Sequence, residues 1–285
     1  MALPLAEKMD LDIQPKIKSE VDRRVALVPG AEPSARIDPW WWLVVAAVLL
    51  TAILILTSNE YEDIFYFVLK GLGITLLVTF ISYSSMLIIG MFGGLGRLSK
   101  NPVLHGLASL YVEIVRGIPL LIQLIYWYFV VPAIVRNAGE ALNIGFLANY
   151  RADPIFLAIF GLAFCYGAYM TEIFRAGIQS IPKGQMEAAR SLGMTYFQAM
   201  RFVVLPQAVR VILPPVGNEF VSLLKDSCLV SVVAVSDLTR RGQEYMSTHF
   251  NPIETWTMIA LLYLILTLFS SRIVSWLEKR GRFER

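Results

Sequence analysis

Long apolar runs alternate with short polar stretches from residue 40 to the end of this chain. Most of the runs approach the roughly 20 residues that a helix needs to cross a hydrocarbon core of about 30 Å. Because the alternation expected of barrel strands is absent, helices are the expected spanning elements. The pattern predicts six spans, at about residues 40–56, 69–92, 107–131, 154–174, 212–235 and 254–277.

The composition agrees with a membrane location. Of the 285 residues, 56% are hydrophobic and 16% are charged, which predicts an all-α integral membrane protein. The net charge of +3 is small and its basic residues are better explained by membrane orientation, so nucleic acid is not an expected partner. Cys165 and Cys228 lie in apolar runs and are interpreted as small packing residues, with neither a disulfide nor a metal site expected.

Positive charges orient the spans, because cytoplasmic loops are enriched in Lys and Arg. Arg97, Lys100 and the basic end of the chain at 279–285 indicate cytoplasmic segments, whereas the acidic stretch 59–63 is expected outside. Six crossings then place both termini in the cytoplasm. The two arginines at 240–241 fall on the predicted outer side, so the charge rule is imperfect here.

The two ends of the chain differ from its middle. Residues 1–39 are polar and contain scattered prolines, which predicts a flexible cytoplasmic tail. The run 40–57 is interpreted as a retained N-terminal transmembrane helix, because its charged leader is too long for a secretory signal and no small-residue cleavage pattern follows. Residues 69–278 form one predicted transmembrane domain, followed by a basic cytoplasmic C-terminus at 279–285.

A polar segment between the fourth and fifth spans carries the signals of a helical hairpin. Pro182 can open a short helix, because its missing N–H falls where helical donors are unpaired. Gly193 can close that helix, since a left-handed residue is least strained as glycine. Thr195 and Gln198 have capping-box spacing and predict a second helix from Tyr196 to about residue 205.

The first helix of this hairpin offers a smooth surface between charges. Ala188 and Ala189 carry almost no side chain, so the backbone of another protein can approach closely there. Glu187 and Arg190 flank them and can fix the orientation of such a partner. An ordinary cytoplasmic helical hairpin remains the simpler alternative on these signals alone.

The complete pattern resembles a known family. Glu187-Ala188-Ala189, Gly193, Val203 and Leu205-Pro206 reproduce, at the right spacing, the cytoplasmic loop motif of ABC importer permeases, with Val203 where that family often has Ile. Three further segments are similar to permeases of polar amino acid ABC importers of the histidine/glutamine type: 111–120, 167–175 and 218–227.

The resemblance implies a fold and a set of partners. The fold would be the type I ABC importer transmembrane fold, with a five-helix core and one additional N-terminal helix. The chain would be the pore of a bacterial cytoplasmic (inner) membrane transporter, working with a second permease, identical or sibling. A periplasmic or extracellular amino-acid-binding protein would dock on the loops 134–153 and 236–252.

The resemblance also implies how energy is supplied. The coupling residues within the hairpin 180–206 would dock on an ABC ATPase subunit. No Gly-x-x-x-x-Gly-Lys-Ser/Thr sequence occurs in the chain, so ATP and Mg are expected on that separate subunit, with no catalytic residue or cofactor here. The residues that the family assigns to coupling are Glu187, Ala188, Ala189, Gly193, Leu205 and Pro206.

Charged residues inside the spans need partners or water, because each costs roughly 3 kcal/mol or more in lipid. Glu113 and Arg116 lie three residues apart, as do Glu172 and Arg175, and both pairs are predicted to be structural ion pairs at the membrane border.

Five polar residues are candidates for the substrate pathway. Lys225 and Asp226 are adjacent and point about 100° apart on a helix, so mutual pairing does not satisfy both. Glu219 belongs to the same span, and the hydroxyl groups of Tyr166 and Tyr169 can reach a substrate amine or carboxylate. Packing is the alternative role of the tyrosines, and contact with another helix or subunit is the alternative role of the charged residues.

Two other classes of protein compete with the importer permease. An ion-gradient-driven secondary amino acid transporter usually has inverted repeats and broken helices, and neither is evident in the sequence. A membrane scaffold or sensor whose hairpin binds a cytoplasmic partner is the third class, favoured only by the long N-terminal tail.

Overall fold

A computed structural model describes residues 40–281, with side chains to residue 278. The predicted tail 1–39 and residues 282–285 of the predicted basic C-terminus lie outside the described residues. The regular elements of the described part are all helical. They are α1 (Trp40–Thr57), α2 (Asn59–Leu98), α3 (Pro102–Gly117), α4 (Leu120–Ala141), α5 (Gly145–Ala148), α6 (Pro154–Gln179), α7 (Lys183–Ser191), α8 (Tyr196–Val233), α9 (Leu238–His249) and α10 (Pro252–Gly281).

Six of the described helices are long and apolar enough to cross a bilayer. These are α1, α2, α4, α6, α8 and α10, which confirms the predicted all-α class with six spans. The predicted fourth and sixth spans lie inside α6 and α10, both of which continue further toward their C-terminal ends.

The second span begins earlier than its hydrophobic pattern indicates. The acidic stretch 59–63 is not a turn, because α2 starts at Asn59, directly after Ser58. Glu60 and Glu62 lie in the first helical turn, where negative charge is favoured by the helix dipole. Gly90 and Gly94 do not end this helix either, since it continues to Leu98.

The predicted third span, 107–131, is wrong at its start, because two separate helices occupy it. The chain is extended at Ile118 (φ −109°, ψ 130°) and at Pro119 (φ −56°, ψ 138°), since a residue before proline disfavours the helical conformation. The buried Gln123 amide closes this break, with Nε2 donating to the Val115 and Ile118 carbonyls at 2.8 Å each. The spacing of residues along the sequence does not reveal this role of Gln123.

The second hairpin helix and the fifth span, predicted as separate helices, form one continuous element. In α8 a π turn at Met200–Val204 precedes Leu205–Asp226, and a 3-10 turn at Ser227–Val233 ends the helix. Pro206 is accommodated directly after the π turn, where the N–H of Leu205 bonds to the carbonyl of Met200. Proline therefore distorts this helix without ending it.

Helices α2 and α6 pack along each other closely through glycines. A Cβ on Gly90 would lie 2.5 Å from the Cβ of Met170, and a Cβ on Gly94 would lie 2.9 Å from the Cβ of Phe174. Met170 is fully buried in the main apolar cluster, together with Leu162 and Leu223. The small residues at 90 and 94 thus allow close helix packing.

Both predicted outer loops contain helices. Residues 134–153 include the end of α4 and the short α5, and residues 236–252 include α9. The fully buried Asp237 caps α9 by accepting from the backbone N–H of Arg240 at 2.8 Å and of Thr239 at 3.2 Å. Burial raises the pKa of Asp237, although these hydrogen bonds act in the opposite direction.

We predict that Gly90→Ala lowers the stability of the protein by about 1–3 kcal/mol, because the added methyl overpacks the buried contact with Met170. Gly73→Ala in the same helix is the matched control, since a Cβ there has no neighbour within 4 Å. Thermal unfolding of the purified protein in detergent measures both. Equal midpoints for the two variants would contradict the close approach of α2 and α6.

Candidate functional site

The hairpin 180–206 has the local structure that its capping residues predict. Pro182 directly precedes the first residue of α7, and Gly193 has a left-handed φ of 85° just after its end. The N–H of Gly193 bonds to the Arg190 carbonyl at 3.0 Å, and the N–H of Met194 bonds to the Ala189 carbonyl at 3.2 Å. These bonds pair carbonyls that a helix end leaves free.

The second helix of the hairpin starts with the expected capping box. Thr195 Oγ1 accepts from the backbone N–H of Gln198 at 3.3 Å, and Gln198 Oε1 accepts from the backbone N–H of Thr195 at 2.9 Å. Two otherwise unpaired donors are satisfied reciprocally. The direction of the second helix relative to the first is therefore set by local hydrogen bonds.

The two alanines of the motif do not have the same surroundings. Ala189 is buried and faces the inside of the hairpin, as does Ala199. Glu187 and Ala188 are exposed. The expectation that another backbone approaches both alanines is therefore wrong for Ala189, because the hairpin itself covers that methyl group.

Large apolar side chains on the hairpin are exposed, and the sequence analysis did not single them out. Leu192 is 82% exposed, Phe197 is 71% exposed and Tyr196 is 61% exposed. All three lie at the junction of α7 and α8. Large apolar residues inside an otherwise polar segment were the signal available in the sequence, since such residues are often interface anchors.

A cavity between α6 and α8 brings together most of the candidate pathway residues. Its volume is about 230 Å³, and Tyr166, Tyr169, Glu219 and Asp226 line it with Leu120 and Cys165. The Tyr166 hydroxyl donates to Asp226 Oδ2 at 2.7 Å, which links the two helices across the cavity. Cys165 is thus part of a cavity wall as well as a buried packing residue.

Lys225 is not brought to this cavity. Its side chain is exposed on α8, whereas the neighbouring Asp226 lines the cavity. The two adjacent residues face different directions because successive helical residues are rotated by about 100°. The candidate that the structure separates from the other four is therefore the lysine.

A second cavity adjoins the first at Tyr169. It has a volume of about 290 Å³ and is lined by Val112, Glu113, Arg116, Gly117 and Tyr169. The Arg116 guanidinium carbon lies 5.1 Å from the centroid of the Tyr169 ring, a cation–π distance. Arg116 and Glu113 therefore line one cavity and two carboxyl groups line the other, with Tyr169 shared by both.

One of the two predicted ion pairs is present. Glu172 contacts Arg175 on α6, and it also accepts from Arg97 Nη1 of α2 at 2.6 Å. The predicted pair of Glu113 with Arg116 is wrong, because Glu113 lies 4.0 Å from Arg97 and Arg116 turns to the ring of Tyr169. The end of α2 supplies the nearer cation, which helical spacing within α3 does not reveal.

Comparison with known proteins places this arrangement in a family. Residues 86–283 match the family described as binding-protein-dependent transport system inner membrane component. The glutamine transport system permease protein GlnP of Escherichia coli is 34% identical over 212 residues, covering 74% of this chain and 91% of that protein. The probable glutamine ABC transporter permease protein GlnM of Bacillus subtilis is 38% identical over 228 residues, covering 80% and 96%.

Solved structures show the same relationship. A crystal structure described as an amino acid ABC transporter with histidines has a TM-score of 0.67 and 37% identity, covering 79% of this chain and 97% of that chain. The inward-facing MetNI methionine ABC transporter has a TM-score of 0.62, and its 21% identity supports a likeness of fold alone.

The fold and the hairpin define the class: a permease component of an ABC importer, with the type I transmembrane fold. The chain belongs to the family of binding-protein-dependent transport system inner membrane components. This membership confirms the resemblance to permeases of amino acid ABC importers. It decides against the ion-gradient-driven secondary transporter, which no comparison favours.

We predict that Glu172→Gln destabilises the protein by about 1.5–3 kcal/mol, because it removes the charged acceptor that Arg97 and Arg175 share. Glu113→Gln is the control, with an expected cost of at most about 1 kcal/mol, because its side chain is 76% exposed and its partner is 4.0 Å away. Unfolding of both variants in detergent checks the difference. A smaller loss for Glu172→Gln than for Glu113→Gln would contradict this assignment.

Proposed function

We propose that this chain forms the translocation pathway for a polar amino acid across the cytoplasmic membrane by alternating access, driven by ATP hydrolysis on a separate subunit. The observation that carries the proposal is the capped hairpin within a family of importer components. The relatives named for glutamine transport and the structure named for histidines support an amino acid as the substrate. ATP and Mg belong to the ATPase in this proposal.

The hairpin is the proposed contact with that ATPase. Glu187 and Ala188 are exposed on α7, and Leu205 and Pro206 lie where α8 leaves the hairpin. Ala189 and Gly193 act indirectly, because Ala189 packs inside the hairpin and Gly193 sets the turn. The exposed apolar group of Leu192, Tyr196 and Phe197 supplies buried area to such an interface.

Replacing Gly193 tests the coupling role. Gly193→Val places a β-branched residue at φ 85°, a conformation that costs roughly 1–2 kcal/mol for ordinary residues. We expect the amount of ATPase that copurifies with the solubilised permease to fall about tenfold, the equivalent of about 1.4 kcal/mol.

The matched control for the turn is Gly184→Val, on the same hairpin. A Cβ at Gly184 has no neighbour within 4 Å, and its φ is not left-handed. We expect this variant to retain the ATPase at the wild-type level. A wild-type chain that never retains an ATPase from its native membrane would contradict the proposed function itself.

The paired cavities are the proposed substrate contact. A free amino acid carries a carboxylate and an ammonium group, so its recognition needs both an electropositive and an electronegative partner. Arg116 beside Tyr169 supplies the first, and Glu219 with Asp226 supplies the second. Tyr166 orients Asp226 through its hydroxyl group. Lys225 is not a proposed substrate contact, because its side chain is exposed on α8 outside the cavity.

Uptake into proteoliposomes tests the substrate contact. L-Glutamine, L-arginine and L-histidine are suitable radiolabelled probes, with the permease, its ATPase and its binding protein reconstituted together. We expect Asp226→Asn to lower uptake about tenfold, because a hydrogen bond to a charged group contributes roughly 1.5–3 kcal/mol.

The neighbouring Lys225→Gln is the control for Asp226→Asn, since it also removes one charge but lies outside the cavity. We expect uptake by this variant to stay within about twofold of wild type, as most exposed substitutions have small effects. Equal losses for both variants would contradict a direct role for the cavity.

The remaining assignments follow from the direction of the spans. We place both termini in the cytoplasm, with the tail 1–39 and the basic end 279–285 on the same side as the hairpin. The helix α1 is the additional N-terminal helix, and residues 69–278 form the permease domain. The outer segments 134–153 and 236–252 are the proposed docking surface for the binding protein, and a second permease completes the pathway.

A further inference from the structure

Gln207 follows the Leu205-Pro206 pair and lies where the hairpin meets the membrane-spanning part of α8. The single helix α8 runs from the hairpin at Tyr196 through the membrane span to Val233. The second half of the hairpin and the carboxyl groups of Glu219 and Asp226 therefore belong to one continuous helix, which also contains Pro214 and Pro215. The first half, α7, is joined to that helix by a short turn around Gly193.

The side chain of Gln207 bridges these two halves. Its Nε2 donates to the side-chain oxygen Oε1 of Gln185 on α7 at 3.2 Å, and to the backbone carbonyl of Val203 at 2.9 Å. A side-chain amide has two N–H groups, and both are used here. One bond thus holds α7, and the other holds the π turn of α8.

The bond from Gln207 to Val203 lies at the π turn, where α8 departs from regular geometry. Proline has no N–H, so Pro206 leaves a carbonyl of the preceding turn without its backbone donor. The π turn at Met200–Val204 accommodates this defect, and turns of this kind are frequent at functional sites. The side chain of Gln207 bonds back to the carbonyl of Val203, a residue of the π turn, and so links the regular part of α8 to that turn.

We propose that Gln207 is a positioning residue that fastens α7 to α8, so that the hairpin and the span carrying Glu219 and Asp226 move as one body. The proposal rests on the proposed function, in which an ATPase displaces the hairpin. Movement of α8 relative to α6 then acts first on the Tyr166–Asp226 hydrogen bond, since its two partners lie on different helices. In this way, displacement of the hairpin changes the contacts of Asp226 in the cavity.

The first test separates docking from transmission. Gln207→Met keeps the length of the side chain and removes both donors. We expect the reconstituted permease–ATPase complex to retain its ATPase and its hydrolysis rate, while uptake per ATP hydrolysed falls about fivefold, the effect of losing the bond to Gln185. The probes are radiolabelled L-glutamine, L-arginine and L-histidine.

Gln179→Met is the control, because Gln179 is an exposed glutamine at the end of α6 whose side chain bonds to Arg175 and not to the hairpin. We expect its uptake per ATP to equal that of wild type. A loss as large as that of Gln207→Met would contradict the bridge, and so would loss of the ATPase from the Gln207→Met complex.

A double-mutant cycle with Gln185→Met tests the specific bond. If the two glutamines act on each other, the double variant is no worse than Gln207→Met alone, whereas independent effects add. Additive losses would overturn the proposal. A wild-type complex without an ATPase contradicts the proposed function, whereas wild-type transport that Gln207→Met leaves unchanged contradicts only the bridge.

Restoring the link by chemistry gives a second measurement. Gln185→Cys and Gln207→Cys are combined in a chain whose native cysteines are replaced by alanine, and the pair is joined with a short bifunctional thiol reagent. We expect uptake per ATP to rise severalfold on cross-linking, because a covalent link replaces the hydrogen bond. Uptake that stops on cross-linking would show that α7 must move against α8, which contradicts the proposal.

Discussion

Backbone N–H and C=O groups cannot remain unpaired among apolar side chains, and this constraint shapes the irregular points of the described helices. Where Pro119 follows the end of α3, the buried amide of Gln123 takes over the free carbonyls. Where Pro206 interrupts the ladder of α8, a π turn precedes it and the N–H of Leu205 bonds to the carbonyl of Met200. Where α9 begins, the carboxyl group of Asp237 accepts from two backbone donors.

These irregular points adjoin the places where the chain is proposed to act. The break before α4 separates Gly117, in one cavity wall, from Leu120, in the other. The π turn of α8 lies between the hairpin and the membrane span. A regular helix does not change direction and has no free backbone groups between its ends. A chain that forms cavities from helices therefore needs interruptions of this kind. Side-chain amides such as that of Gln123 then pair the backbone carbonyls that an interruption leaves free.

Helices α2 and α6 form a closely packed pair beside the cavity. Close contact at Gly90 and Gly94 and the bond from Arg97 to Glu172 hold these two helices along their length. The carboxyl groups of Glu219 and Asp226 approach this pair from α8, the helix that continues into the hairpin. The cavity therefore lies between α6, which packs closely on α2, and α8, on which the ATPase is proposed to act.

Local signals in the sequence were enough to predict the helical class, the six spans and the capping of the hairpin. Apolar length, proline, glycine and capping residues act within a few positions of themselves, so their consequences at Gly193 and Thr195 can be predicted without knowing the neighbours. The joints of the helices were predicted less well. Proline ended a helix at residue 119 but not at 206, because a π turn accommodates it at the second site.

Only the tertiary structure decided which side chains face each other. Spacing paired Glu113 with Arg116, but the end of α2 brings Arg97 nearer to that carboxylate. Spacing also grouped Lys225 with Asp226, although only the aspartate faces α6. Helical periodicity fixes the angle between residues of one helix, whereas the partner of a face depends on how separate helices pack, and that packing joins residues far apart in the chain.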